Sequence, residues 1–268
     1  MLLKGKRGLI TGVANERSIA WAIAKLASQH GAELAMSYQG EALCKRVHPL
    51  AETIGCEKLY HVDFSHQESV DSMFDSLEKE WGQIDFVLHS IVFAHREDLT
   101  GRYLDTPLNH FQDCLAISCY SMNTLVKGVE KLMKNGGSIV TLTYHGARKV
   151  VPSYNIMGVA KAALEASVRY IASEVGKNGI RVNSISAGPI KTLASSAVRG
   201  MSHMLKKIPH VAPLRRNITG EDVAGAALYL FSDLASGVTG ENHYVDAGYN
   251  ILGFLDAVEE LNSMQNVD

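Results

Sequence analysis

Arg7-Gly8-Leu9-Ile10-Thr11-Gly12-Val13-Ala14-Asn15-Glu16-Arg17-Ser18-Ile19-Ala20 runs from a short apolar strand, through a turn, into a helix-period segment. A strand–turn–helix unit of this kind aims backbone N–H groups and a helix N-terminus at one spot, which suits a pyrophosphate. The turn is not G-x-G-x-x-G, and with Gly12 as its only glycine a plain connection explains it equally well. Ser18 stands either to cap the helix or to bind phosphate.

The same alternation continues along the chain. Strands are expected at Arg7 to Thr11, Glu33 to Tyr38, Lys58 to Val62, Phe86 to Ser90, Ser138 to Thr143, Arg181 to Ala187 and Asn242 to Val245. Helices are expected at Ser18 to Gln29, Glu41 to Ile54, Gln67 to Trp81, Pro107 to Leu132, Ser153 to Gly176 and Glu221 to Leu234. Near-continuous apolar strands such as Phe86-Val87-Leu88 imply burial on both faces. The expected fold is α/β: a Rossmann-like, doubly wound, seven-stranded parallel sheet with helices on both faces. Its ligand belongs beyond the carboxyl ends of the strands, where the strand order reverses.

The 268 residues, 46% of them hydrophobic, show no low-complexity linker, so one dinucleotide-binding and catalytic domain spanning 1–268 is expected. No apolar run reaches the length of a membrane span and Lys4 interrupts the N-terminus, which points to a soluble, cytoplasmic protein. Cys44, Cys56, Cys114 and Cys119 lack metal-ligand spacing and fit a reducing compartment. A net charge of −2 supplies no general attraction to nucleic acid or anionic lipid. The 11 histidines are scattered, without an i,i+4 pair joined to a third ligand, so no metal site is expected.

Residues just after the strands carry the chemistry. Tyr154 and Lys161 are separated by about 700° of helical turn, so they share one helix face. An ammonium there would favour the phenolate and ease proton release, as a general acid requires. After the second strand, Gln39 and Glu41 stand where adenosine ribose is read in such folds, and Tyr38 to Glu41 holds no arginine or lysine for a 2′-phosphate. That favours NADH over NADPH. Lys45 and Arg46 follow on the helix and are expected to turn outward. Asp63 is set to accept from an adenine amino group or to cap the next helix.

The chain resembles the bacterial enoyl-acyl carrier protein reductases, divergent short-chain dehydrogenases, from about Lys4 to Gly253. The resemblance rests on Gly12 to Ala20, His89-Ser90-Ile91, the block Tyr144 to Lys161, and Ile185-Ser186-Ala187-Gly188-Pro189-Ile190-Lys191-Thr192-Leu193. It implies NADH-dependent reduction of trans-2-enoyl thioesters on acyl carrier protein, with Tyr144, Tyr154 and Lys161 catalytic. It also implies NADH/NAD+ contacts at Gly12, Ser18, Ile19, Gln39, Asp63, Phe64, Ser90, Ile91, Lys161, Ile190 and Thr192. Val92, Ala94, Tyr144, Tyr154, Met157, Ala194 and Met201 are the implied substrate contacts, although Met157 reads equally as core and Tyr144 as a strand-end aromatic. Val92 stands where these reductases commonly have glycine, which adds volume beside the nicotinamide pocket.

The stretch 193–216 reads as a helical substrate lid. Its Arg199, His203, Lys206 and Lys207 suit either an acidic carrier protein or a solvated face. By the same resemblance, Pro107 to Leu132 and Ser153 to Gly176 form the interfaces of a homotetramer. Two other readings stand beside the reductase: a β-ketoacyl or other carbonyl reductase, which would need an upstream serine and a shorter Tyr–Lys spacing, and a catalytically idle nucleotide sensor.

Overall fold

Phe86, Val87 and Leu88 have no exposed surface, and the reason is the sheet they lie in. In the computed structural model, which describes residues 1–193 and 195–253, seven parallel strands run in the order β3-β2-β1-β4-β5-β6-β7. The strands are β1 (Arg7–Ile10), β2 (Glu33–Tyr38), β3 (Lys58–His61), β4 (Phe86–His89), β5 (Gly137–Tyr144), β6 (Ile180–Ala187) and β7 (Asn242–Val245). The order reverses between β1 and β4, which pair directly through Gly8–Phe86, Leu9–Val87 and Ile10–Leu88. Every strand anticipated from the apolar runs is present.

The helices are α1 (Ile19–Gln29), α2 (Glu41–Thr53), α3 (Gln67–Glu80), α4 (Leu108–Leu115), α5 (Ser121–Glu130), α6 (Asn155–Val175), α7 (Met201–Val211) and α8 (Gly220–Phe231). Alternating strand side chains divide between two cores. Ile10, Met36, Leu88, Val140 and Ile185 pack with α1 and α8, while Leu9, Ala35, Val87, Ile139 and Val182 pack with α3, α5 and α6. A third cluster, with Leu99, Cys114, Ile156, Met157, Val198 and Met201, joins α4 and α6 to the segment after β6. No helix among the described residues is long and apolar enough to cross a membrane.

Two expectations need correction. The helix expected from Pro107 to Leu132 is broken by a π-turn, Ala116–Tyr120, between α4 and α5. Hydroxyl groups account for the break: Ser118 Oγ accepts from Phe93 N and donates to Phe93 O, and Ser121 Oγ donates back to Ile117 O while meeting His89 Nε2 at 2.8 Å. The helix expected from Ser153 begins instead at Asn155, because Ser153 and Asn155 hold left-handed φ of 64° and 39° on either side of Tyr154.

His89 is wholly buried, its Nδ1 and Nε2 each 2.8 Å from the hydroxyls of Thr141 and Ser121. Burial drives its pKa from 6.5 down to about 3, with the Lys161 charge adding to the fall. The unfolded chain takes up this proton first as pH drops, so the stability present above pH 6.5 is lost progressively toward pH 3. The thermal midpoint should therefore fall more steeply with acid for the native chain than for His89→Gln; parallel slopes between pH 6.5 and about 4 in calorimetry would remove His89 as the cause.

Candidate active site

The first turn closes against the end of β4. Gly12 has φ of 79°, and a Cβ there would lie 1.9 Å from the carbonyl oxygen of Ser90. Thr11 fixes this approach, its Oγ1 donating to Leu88 O at 2.8 Å and accepting from Ser90 N at 3.1 Å. Ser18 stands at the N-cap position of α1 without making a side-chain cap bond. Its Oγ accepts from Ala14 N and Asn15 N and donates to Asn15 O, tying the turn to itself. The N-terminus of α1 thus carries no side-chain cap and no acidic residue in its first turn. Its amides and dipole remain directed at the space in front of Gly12, the donor set a pyrophosphate needs.

That space is a cavity of about 380 Å³. Its walls bring together Gly12, Ser18, Ile19, Ser90, Ile91, Val92, Ala94, Tyr144, Tyr154, Met157, Lys161, Ile190, Thr192 and Met201, as the sequence reading anticipated. Val92 lies at its rim, 42% exposed. Gln39, Asp63 and Phe64 lie outside it, at the carboxyl ends of β2 and β3. Asp63 Oδ1 accepts from Ser65 N at 2.8 Å and Ser65 Oγ at 2.5 Å, while His66 holds the cap position of α3. Burial opposes ionisation of the Asp63 carboxyl, but the hydrogen bonds from Ser65, and then one from Gln39, hold it below its ordinary range. Lys45 and Arg46 are exposed.

Tyr154 occupies the N-cap position of α6. Its left-handed neighbour Asn155 is held by two bonds from Nδ2, to Asp98 O at 2.8 Å and Gly101 O at 3.0 Å. The Tyr154 ring meets Tyr144 edge-on at 4.9 Å and lies over Gly146, where a Cβ would come 2.5 Å from Tyr154 Cδ1. Tyr144 Oη points to Met204 Sδ on α7, at 3.3 Å. Lys161, one α6 face further on, is 7% exposed and donates from Nζ to Leu142 O at 2.8 Å.

The electrostatics correct one expectation. Burial raises the Tyr154 phenol far above its usual range, with Tyr144 and Cys114 adding to the rise, so the ring stays protonated rather than drifting toward phenolate. Burial likewise pushes Tyr144 up to about 12 and Lys161 down to about 8. A neutral phenol is the form that donates a hydrogen bond to a developing oxyanion.

Thr192 and Ser195 bond reciprocally: Thr192 N donates to Ser195 Oγ at 2.8 Å, and Ser195 N donates to Thr192 Oγ1 at 3.1 Å. Ser195 Oγ also donates to Ile190 O at 2.6 Å, so Ser195 shapes the strand-end loop. Sequence reading passed over Ser195, Asn155 and Gly146, because a lone serine, asparagine or glycine carries no periodic signal. Ala194 lies outside the described residues. Val198, Met201 and Ile208 are buried, whereas Arg199, His203 and Lys206 are exposed.

An open parallel sheet with an anion-seeking turn at its switch point and a tyrosine–lysine pair in the same cavity defines a dinucleotide-dependent α/β protein. The model of the family described as enoyl-(acyl carrier protein) reductase matches residues 12–250. The NADH enoyl-acyl-carrier-protein reductase of Rickettsia prowazekii is 61% identical over 252 residues, covering 94% of this chain and 97% of its own. Among solved structures, an Anaplasma phagocytophilum reductase in complex with NAD aligns with a TM-score of 0.91 and 51% identity over 96% of each chain. A Bacillus cereus enoyl-acyl carrier protein reductase with NADP+ and an indole naphthyridinone aligns at 0.93 with 47% identity, over 94% of this chain and 99% of that one. The chain belongs to the enoyl-acyl carrier protein reductase family.

Lys161 makes this site costly to the ligand-free fold. Below about pH 8 the ammonium is charged in both states and the folded chain bears its desolvation; between pH 8 and 10.5 the folded state sheds the proton first and that cost fades. Lys161→Met, without cofactor, should melt higher than the native chain at pH 7, by at most about 3 kcal/mol. The gap should narrow as pH rises from 8 to 10.5, and a variant that melts lower at pH 7 in scanning calorimetry would contradict this assignment.

Proposed function

We propose that this chain reduces the trans-2 double bond of enoyl thioesters borne on acyl carrier protein, with NADH, in fatty acid chain elongation. The observation that carries the reading is the Tyr154 ring packed edge-on against Tyr144 in a cavity that also contains Lys161 and the α1 N-terminal turn, where burial raises its phenol above the usual range. Bound NADH supplies hydride to C3 of the enoyl group.

The chain's own groups do the rest. Gly12 and the uncapped first turn of α1 hold the pyrophosphate, with Thr11 bracing the turn against β4, while Gln39 and Asp63 meet the adenosine end with no cation between Tyr38 and Glu41 to favour a 2′-phosphate. Lys161 holds the nicotinamide ribose hydroxyls, and Ser90, Ile91, Ile190 and Thr192 line the same half. Charge leaving the alkene gathers on the thioester oxygen, and Tyr154 donates its hydrogen bond there; a proton delivered to C2, from Tyr154 or from water, then completes the saturation. Tyr144 completes the polar end of the pocket, and Val92, Ala94, Met157 and Met201 form its apolar acyl wall.

Tyr154→Phe should lower kcat for a crotonyl thioester by about 100- to 1000-fold, because one oxyanion donor contributes about 2.7–4 kcal/mol. NADH affinity should be unchanged, and β-ketoacyl thioesters should give no turnover with the native chain. Full crotonyl activity in the phenylalanine variant, measured by NADH absorbance, would defeat the proposal.

Arg199 and Lys206 present exposed positive charge on and beside α7, with His203 exposed among them, which suits an acidic carrier protein delivering the acyl chain past Met201. Arg199→Glu/Lys206→Glu should raise KM for the carrier-bound substrate about tenfold, roughly the steering available to a few surface charges, and leave a coenzyme A analogue unaffected. Equal KM changes for both substrates would exclude docking at this face. The exposed Tyr120 and Tyr170, at 63% and 80%, lie at the C-terminal end of the π-turn and on α6, the surfaces we assign to homotetramer contacts in a cytoplasmic enzyme.

A further inference from the structure

His95, Glu97 and His110 converge outside the catalytic cavity, one ligand atom of each lying within 4.8 Å of the others. No sequence spacing signals this group. His95 and Glu97 come from the loop after β4, His110 comes from α4, and only the packing of loop on helix brings them together.

The imidazoles of His95 and His110 stack with centroids 3.7 Å apart and planes 17° from parallel, so one ring must swing out of the stack for a nitrogen of each to reach a single ion. Each ring is also oriented by its own carboxylate: His95 Nε2 meets Asp113 Oδ2 at 3.0 Å, and His110 Nδ1 meets Asp98 Oδ2 at 3.2 Å. Asp98 is nearly buried, its side chain 4% exposed. One ring nitrogen on each histidine is thereby left for another partner. A carboxylate on the far nitrogen is the arrangement that fixes tautomer and raises basicity in metal-binding histidines.

We propose that His95, Glu97 and His110 bind one zinc-type divalent ion, with Asp98 and Asp113 orienting the two histidines. Two imidazoles and a carboxylate suit zinc and leave a fourth tetrahedral position to water, whereas magnesium and calcium prefer all-oxygen sets. Bonds of about 2.0–2.2 Å require ligand atoms about 3.4 Å apart, so the group must contract. The exposed Glu97 side chain is free to rotate inward.

The ion would fasten the loop to α4 at a sensitive place. Phe93 packs edge-on against His95 at 5.0 Å, and Phe93, Ala94 and Leu99 line the catalytic cavity. Asp98 O also receives the Asn155 bond that holds the backbone beside Tyr154. Fastening His95 to His110 therefore stiffens the acyl wall and the support of the catalytic tyrosine together. The inference is independent of which reaction the cavity performs.

The test is isothermal titration of tag-free, chelator-treated full chain with zinc chloride, with cobalt(II) absorption as a report of coordination. The native chain should bind one ion that His95→Ala/His110→Ala does not bind. Glu97→Gln should bind more weakly, Asp113→Asn should lose about 10- to 100-fold in affinity, and magnesium chloride should give no binding. In the native chain, zinc should also slow amide exchange across residues 96–101. Retained NADH binding identifies folded variants, and the exposed Glu97 and Asp113 changes serve should the double variant not fold. Zinc binding of equal affinity in the native chain, the Glu97→Gln and the Asp113→Asn variants, or none to the native chain at about 100 µM, would overturn the proposal.

Discussion

The close approach of the β1 turn to the end of β4 is the contact on which the rest of the site depends. Two neighbouring strands meet at the point of order reversal, and the chain leaving β1 must pass within bonding distance of Ser90. Only glycine permits that passage, and Thr11 secures it with bonds to both Leu88 and Ser90. A bulkier residue at 12 would push the turn off β4. The α1 amides and the Ser90–Ile91 wall would then no longer face one cavity. A single glycine does here what a glycine-rich turn does elsewhere, because Ser18 braces the remainder of the turn from within.

The second constraint is dryness. Lys161, Tyr144 and Tyr154 are held where burial opposes charge, so exclusion of water is the largest influence on the protonation of each. That favours a donor over a base. The Leu142 carbonyl gives the ammonium one fixed partner and keeps its stem along the cavity floor. Such preorganisation lets the site meet developing charge without rearranging solvent.

The sheet was legible in the sequence because strands buried on both faces leave unbroken apolar runs, as at Phe86-Val87-Leu88 and Ile139-Val140. Cavity residues at strand ends were legible for a related reason, since the topology sends each strand's exit toward one edge. What escaped was set by tertiary contact. The π-turn at 116–120 follows from hydroxyls reaching Phe93 and His89, and the pairing of His95 with His110 follows from a loop folding back on α4. The capping role offered for Ser18 failed similarly, since its hydroxyl found nearer partners within the turn than a helix amide. The expected push of Lys161 on the phenol is not among the influences that shift Tyr154, where burial is the largest and Tyr144 and Cys114 add to it.

Asn155 sets an unusual limit on how this family member can drift. The position demands a backbone that tolerates left-handed φ and a side chain that reaches two carbonyls at once. Glycine meets the first demand and glutamine approaches the second, but asparagine joins them with the right reach. A codon at 155 is thus walled in on both sides, and library screens seeking altered chain-length range would find more room at Val198, Met201 and Met204 than beside the tyrosine.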